Sequence, residues 1–294
     1  MMLLIVGEAI VAYRREFGAA YTGPWPGGSS ATTGYVAGRL GVPTVFVGGI
    51  GRDGHGKVMA DGLAAGGVAI DHLAVADDAP TAAVRITHHG ITHHGGAREF
   101  DFRVAGSAAT LVTEEHLADL PERADWLHLS GSALLFGEPL AETALSALRR
   151  ARVAGARISV DPNVRPAALD RPARSALVEA LGMAHVLLPG EGELAALEVD
   201  AFALAAAGAT VCTTLGPGGA SVTDSAGTTH LDARPVRPVD PTGAGDSFAA
   251  GFIAAALAGG DAVDAARAGI RVAAEAIRAE GPMTVRPDPG LLAG

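Results

Sequence analysis

The stretch Asp240-Pro241-Thr242-Gly243-Ala244-Gly245-Asp246-Ser247-Phe248 runs directly into the apolar, alanine-rich segment Ala249–Leu257. A glycine-rich turn that opens a helix presents unpaired backbone N–H groups and the positive end of the helix dipole, which together suit a phosphate. Gly243 and Gly245 allow the backbone to approach such an anion closely. A carboxylate at Asp246 opposes anion binding unless it has another task, and accepting the proton of an attacking hydroxyl is one. From spacing alone, an ordinary first-turn acid favoured by the dipole explains Asp246 equally well.

Working outward, a strand–helix alternation surrounds this segment. Leu3–Val6, Thr44–Val47, Trp126–Leu129, Arg157–Val160, His185–Leu188 and Thr210–Thr214 are short continuous apolar runs, as expected of strands buried on both faces of a parallel sheet. Helical patterns lie between several of them, at Thr32–Leu40, His55–Ala65, Pro139–Ala154 (with the proline in the first turn) and Arg174–Met183. Two β-like runs, Ala220–Thr223 and Thr228–Leu231, precede the helical stretches Gly243–Leu257 and Asp261–Ile277. This order predicts βαβ units and a three-layer α/β fold. No composition shift marks a linker, so residues 1–294 read as a single domain with a small β excursion.

Composition excludes several function classes. The 294 residues include 40 Gly, 49% are hydrophobic but only 4% aromatic, and the formal charge is −10. Such a chain has no net positive field to hold a nucleic-acid backbone or an anionic membrane. With 18% charged residues it is too apolar for a disordered chain. Cys212 is the single cysteine, set in the apolar run Ala209–Thr213, and reads as a buried strand thiol. The N-terminal apolar run lacks a basic flank and meets Glu8 early, and no segment approaches the ~20 apolar residues of a membrane helix, so a cytoplasmic location is expected.

Thr81–Val104 breaks the rhythm with two alternating stretches around a Gly-rich turn, which predicts a hairpin outside the main sheet. It carries His88, His89, His93 and His94. Adjacent residues on a strand point to opposite faces, so at most two imidazoles readily converge, and solvent-exposed or interface histidines are expected ahead of a metal site.

Several segments share a resemblance. Asp240–Phe248 resembles the C-terminal signature of the ribokinase-like (PfkB) carbohydrate kinases. Gly27-Gly28 with Arg39-Leu40-Gly41, and Gly48–Gly56, resemble that family's N-terminal glycine segments, while Asp161-Pro162-Asn163-Val164-Arg165 is similar to a run of the fructokinase and 2-keto-3-deoxygluconate kinase branch. Leu188–Leu194 resembles its Asn-x-x-Glu motif, and Thr214–Ala220 its nucleotide segment. In order from about Leu3 to Ala279, these motifs identify the chain as a member of the family.

The resemblance implies a three-layer αβα ribokinase-like fold with a mainly parallel central sheet and a small β lid from about residues 11–30 and 81–104. It implies transfer of the ATP γ-phosphate to a primary hydroxyl of a sugar or sugar-like molecule, with Asp246 as general base and the amides of Gly243, Ala244 and Gly245 as anion hole. Thr214, Gly216, Gly219 and Asn163 would bind ATP, although the two glycines also suit plain turns. Gly27, Gly28, Thr32 and Arg165 would bind the acceptor, with a structural salt bridge as the other reading of Arg165. Glu193 would stand near Mg²⁺ through water. Asp240 matches a position that helps hold a monovalent cation, K⁺ being the candidate, and a homodimer formed through the lid is implied.

The departures lie where sugar is recognised. Ala12 stands where relatives carry a sugar-binding Asp, Thr32 where an Asn is expected, and Gly190 replaces the Asn of Asn-x-x-Glu. Ala12 can make no side-chain hydrogen bond, so the usual hexose does not follow, and Tyr13, Arg14 or Arg15 are candidates to compensate. Nucleoside phosphorylation, or sugar binding without turnover, are the alternatives.

Overall fold

The structure, a computed structural model, describes residues 1–89 and 97–293. Among these residues the strands in chain order are β1 (Leu3–Val6), β2 (Ile10–Glu16), β3 (Thr22–Gly27), β4 (Thr44–Gly51), β5 (Leu73–Ala76), β6 (Ala82–His89), β7 (Ala97–Arg103), β8 (Trp126–Ser130), β9 (Arg157–Asp161), β10 (Val186–Leu187), β11 (Thr210–Thr214), β12 (Ala220–Asp224) and β13 (Gly227–Leu231). Nine form one sheet in the order β13-β12-β11-β10-β9-β8-β1-β4-β5, and four form a second in the order β3-β2-β6-β7. From β5 to β11 every neighbouring pair in the large sheet is parallel, and β12 and β13 add an antiparallel edge.

The continuous apolar runs are explained by burial on both faces. In β1, Leu3 and Ile5 enter one core while Leu4 and Val6 enter the opposite one. The helices Ser29–Arg39, Ala244–Leu257 and Ala262–Ala276 cover the first core, and Leu140–Val153 and Arg171–Met183 the second, giving the three expected layers. Asp53, Asp170 and Asp261 cap their helices by accepting the N–H groups of Gly56, Ala173 and Asp264. The abundance of small residues has a packing use here. A Cβ on Gly251 would fall 3.0 Å from Gly269 Cα, so the two C-terminal helices cross too closely for any larger residue.

The strand order reverses direction at β1. The chain moves from β1 through β4 to β5 on one side, then returns to β8 on the other side and continues to β11. In open parallel sheets ligands bind beyond the carboxyl ends of the strands at such a switch point. Glu8, Ser130 and Asp161 all stand at those ends.

The smaller sheet occupies the two stretches that the resemblance implied for a lid, although periodicity alone pointed only to its second hairpin. Two strands lie within residues 10–27, where Arg14, Arg15, Glu16 and two prolines mask the alternation, and β2 pairs in parallel with β6. The first helix starts at Ser29 rather than Thr32, because Gly28 at φ 97° forms its N-cap. Strand β5 carried no distinct apolar signal, and Pro139 precedes its helix as the N-cap instead of lying in its first turn. Under the smaller sheet, Ile10, Ala12, Ala82, Val84 and Ile86 form a third, minor core.

The two described histidines on β6 alternate as expected, but one of them is buried instead of exposed, because its face of the strand packs inward. His88 is buried, whereas His89 faces outward near Glu99 and the Phe17 ring. His93 and His94 lie outside the described residues. Among the described residues no three His, Cys, Asp or Glu side chains gather into a metal cage, and no helix is long and apolar enough to cross a membrane.

Candidate active site

Asp246 lies in the first turn of the helix Ala244–Leu257, whose N-cap is Gly243 in the left-handed region at φ 81°. A side chain at Gly243 would also meet Pro282 at 3.1 Å and Thr32 at 3.3 Å, so both conformation and space demand glycine there. The amides of the first turn have no intrahelical partner and point along the helix dipole, and of them Ala244 N–H makes a long 3.3 Å bond back to the Pro241 carbonyl.

Around Asp246 four separate chain segments meet. Ser29 Oγ donates to Asp246 Oδ1 at 2.6 Å, and Ser29 in turn accepts from Ser130 Oγ at 2.8 Å and from Asn163 Nδ2 at 2.7 Å. Ser130 and Asp161 are register partners at the ends of β8 and β9. Gly131 makes this junction possible, since a Cβ there would fall 2.0 Å from the Pro162 carbonyl oxygen. Its N–H donates to the Asp161 carbonyl at 2.7 Å.

The hydroxyl chain continues inward. Ser130 Oγ lies 2.8 Å from Ser132 Oγ, and Ser132 Oγ lies 2.8 Å from Glu8 Oε1. Glu8 is 1% exposed, and its other oxygen accepts from Ser30 Oγ at 2.8 Å. Burial pushes the Glu8 carboxyl above the usual carboxylate range, although the hydrogen bonds of Ser30 and Ser132 pull the other way.

Asp161 is also buried. Its desolvation, reinforced by the nearby charges of Glu193 and Asp246, holds its carboxyl well above the usual range. Glu193 braces the next loop, its two oxygens accepting the N–H groups of Val164 at 2.9 Å and Gly190 at 2.8 Å. Gly190 bridges to Thr214, and Thr214 leads into the turn Gly216–Gly218 and Gly219. Gly219 has φ 89° and a Cβ there would fall 2.0 Å from the Leu231 carbonyl oxygen. The residues expected at the nucleotide therefore connect, through Gly190, Glu193 and Val164, to Asn163 and the Asp246 cluster.

A cleft of about 150 Å³ opens on this cluster. Its polar floor includes Ser29, Thr32, Asn163, Arg165, Thr242 and Asp246. Ala12, Val84, Ile86, Phe100, Phe102 and Phe136 supply an apolar wall from or beneath the smaller sheet. The oxygens Thr32 Oγ1, Asn163 Oδ1 and Thr242 Oγ1 are buried without a protein partner, which leaves hydrogen-bonding capacity for a ligand. Arg165 lies 5.6 Å over the Phe100 ring and has no ion-pair partner within 4.0 Å among the described residues, although its charge acts at longer range on Asp161.

The expected compensation for Ala12 is absent. Tyr13 Oη pairs with His55 Nε2 at 2.7 Å, Arg15 Nε donates to Thr87 Oγ1 at 3.2 Å, and neither lines the cleft. Arg14 is engaged elsewhere, with Nε 3.4 Å from Asp240 Oδ2 and its other nitrogens on Glu16 and Glu280. Asp240 is 1% exposed, and its oxygens also accept from Thr242 N and Gly281 N. With a guanidinium already beside Asp240, this carboxylate does not fit the role of a monovalent-cation ligand. Ser29, Ser130 and Glu8 have no assigned role in the sequence reading, and Asp161 enters it only as the first residue of the run through Arg165; the position of Ser29 after Gly27-Gly28 is the one local signal among the first three.

The chain matches the family model described as pfkB family carbohydrate kinase over residues 19–289. This protein belongs to the pfkB family of carbohydrate kinases. It is 34% identical over 251 residues to a fructokinase of Salmonella typhimurium, covering 81% of this chain and 79% of the relative. The pfkB fold is also that of a putative ribokinase II from E. coli in complex with ATP and Mg²⁺, at TM-score 0.89, 28% identity and coverage of 99% and 97%. An aminoimidazole riboside kinase from Salmonella enterica, complexed with aminoimidazole riboside and an ATP analogue, superposes at TM-score 0.86 with 27% identity, covering 99% and 98%. ATP-dependent phosphorylation of a carbohydrate is accordingly the enzyme class of this pfkB-family chain.

Proposed function

We propose that this pfkB-family kinase transfers the γ-phosphoryl group of Mg²⁺-bound ATP to a primary hydroxyl of a sugar or sugar-like acceptor, with Asp246 as general base. The observation that carries this reading is the placement of Asp246 at the amide-rich start of a helix that opens on a cleft with unpartnered polar atoms. The acceptor hydroxyl attacks the γ-phosphorus, the bond to the β-phosphate oxygen breaks, and the hydroxyl proton passes to Asp246. An ordinary carboxylate is far too weak a base to ionise an alkanol in advance. In a loose transition state the proton leaves late, so Asp246 contributes position and charge more than basicity. The N–H groups of Gly243, Ala244 and Gly245 meet the developing charge on the transferred group.

Mg²⁺ enters as part of the nucleotide substrate and neutralises phosphate charge. Glu193 would face it. Both oxygens of Glu193 already hold backbone N–H groups, which favours contact through metal-bound water. Thr214, Gly216 and Gly219 line the nucleotide, and Gly27, Gly28, Thr32 and Arg165 the acceptor. Arg14 meets the charge of Asp240, so K⁺ is dispensable. The homodimer through the smaller sheet belongs to the same proposal, with light scattering as its check.

A nucleoside acceptor is favoured over a hexose by one observation, the three phenylalanines of the apolar wall. Phe100 and Phe102 are parallel with ring centroids 5.7 Å apart, and Phe136 lies 5.4 Å from Phe102. Such a wall suits the flat face of a planar base better than the hydroxyl groups of a polyol. Measuring ADP release over a panel of hexoses, keto-deoxy acids and nucleosides tests both readings, and silence across the whole panel would overturn them.

A further inference from the structure

Four oxygen–oxygen contacts join Glu8 to Asp246: Glu8–Ser132, Ser132–Ser130 and Ser130–Ser29, each at 2.8 Å, and Ser29–Asp246 at 2.6 Å. Every one is short enough to require a hydrogen between its oxygens. The three serines supply three hydrogens, one hydroxyl apiece. No neighbour supplies a fourth: Ser30 Oγ spends its own on Glu8 Oε2, and Asn163 Nδ2 donates to Ser29 from the side. If both carboxyls were ionised, one contact would set lone pairs against each other at 2.8 Å or less, wherever along the chain the gap fell.

A fourth hydrogen, placed on Glu8, fills every contact and fixes the direction of all of them. Glu8 then donates to Ser132, Ser132 to Ser130, Ser130 to Ser29, and Ser29 to Asp246. We propose that Glu8 is a neutral carboxylic acid in the working enzyme and heads a one-way hydrogen-bond chain that holds Asp246 ionised and in a single orientation. Glu8 is thus a positioning residue that acts through Ser132, Ser130 and Ser29, and this inference rests on the reading of Asp246 as the base.

The surroundings of Glu8 support a neutral acid. Among the described residues its side-chain partners are the hydroxyls of Ser30 and Ser132 and the Ser30 N–H, with no Lys, Arg or His bonded to it. An ionised carboxylate that is 1% exposed and lacks a cation is strongly disfavoured, in keeping with the upward push of burial on this group. The packing is also built around it. A Cβ on Gly7 would fall 2.1 Å from Ser30 Oγ, and one on Gly28 would fall 2.9 Å from the Glu8 carbonyl oxygen. The placement of the fourth hydrogen on Glu8 rather than Asp246 follows from Glu8 being the more buried of the two ends.

Infrared spectra of protein labelled with ¹³C-glutamate test this directly. At pH 7 the wild type is expected to show a protonated-carboxyl band that disappears in Glu8→Gln, and a spectrum containing only carboxylate bands would overturn the proposal. Kinetics give a second measure. Ser130→Ala breaks the chain and is expected to lower kcat about 10-fold or more while leaving KM for ATP unchanged. Glu8→Gln keeps a neutral donor and should retain most of the turnover that Glu8→Ala loses. Glu8→Ala combined with Ser130→Ala should be no slower than Ser130→Ala alone, whereas losses that multiply would refute a shared chain. Normal turnover in Asp246→Asn would remove the base and leave the infrared band in place, so the two readings fail separately.

Discussion

Ser29 Oγ stands 2.6 Å from Asp246 Oδ1, across 217 positions of chain. The contact fixes one oxygen of the carboxylate from the start of the first helix, while the helix that carries Asp246 fixes its backbone. Phosphoryl transfer depends on placement of this kind, because a misplaced base loses effective concentration faster than it loses basicity.

Asp246→Asn should therefore abolish proton acceptance with little change of shape. We expect kcat to fall by about 10² to 10⁴, with the affinity for ATP preserved. Calorimetric ATP titration beside steady-state rates makes the comparison, and a variant with near-normal turnover would exclude Asp246 from the base role.

The two glycines of the anion turn should separate stability from activity. Beyond its own turn of helix and chain neighbours, a Cβ on Gly245 meets nothing within 4 Å, so Gly245→Ala should melt no lower than wild type and still lose activity as its methyl crowds the docking phosphoryl group. Gly243→Ala must hold φ 81° and push against Pro282 and Thr32, and should lose about 1–2 kcal/mol of stability as well. Thermal melts and rates on both variants, compared side by side, check the pair.

The contact between Arg14 and Asp240 bears on salt requirements. Turnover in potassium, sodium and choline chloride at equal ionic strength should agree within about twofold, since the guanidinium is covalently present. Arg14→Ala leaves a carboxylate that is 1% exposed without its cation, and a stability loss of about 3–5 kcal/mol by denaturant titration is expected. Strong stimulation of the wild type by potassium would contradict this assignment.

His128 predicts an acid limit. It is fully buried on β8 with Nδ1 2.9 Å from Ser159 Oγ, and burial depresses its pKa to about 3. The unfolded chain takes up this proton near pH 6.5 and the folded chain does not. Stability is thus complete above about pH 6.5 and declines as the pH falls toward about 3. Urea midpoints measured from pH 7 to 4 should drop less in His128→Gln than in the wild type.

What could be read in the sequence follows the range over which its signals act. The anion turn was legible because Gly243, Gly245 and Asp246 are neighbours, and the large sheet because β1 is apolar on both faces while β8 and β9 carry short apolar runs that are buried almost throughout. Strands β2 and β3 were hidden by Arg14, Arg15 and Glu16, whose side chains reach partners in β6, the Asp240 loop and Glu280. Ser29, Ser130 and Glu8 were illegible for another reason. Each is unremarkable within its own segment, and only the junction of β1, β8 and β9 turns them into one hydrogen-bonded set.

The order of synthesis gives that junction a further meaning. Gly28 and Ser29 leave the ribosome early and the smaller sheet can form soon afterwards, yet the anion turn and its helix belong to the last fifth of the chain. A nascent polypeptide can therefore hold Gly27, Gly28 and Thr32 while still lacking Asp246 and the amides that the proposed mechanism sets against the transferred phosphoryl group. On that mechanism turnover waits until β11 and the helix Ala244–Leu257 have docked, which ties the onset of catalysis to completion of the fold.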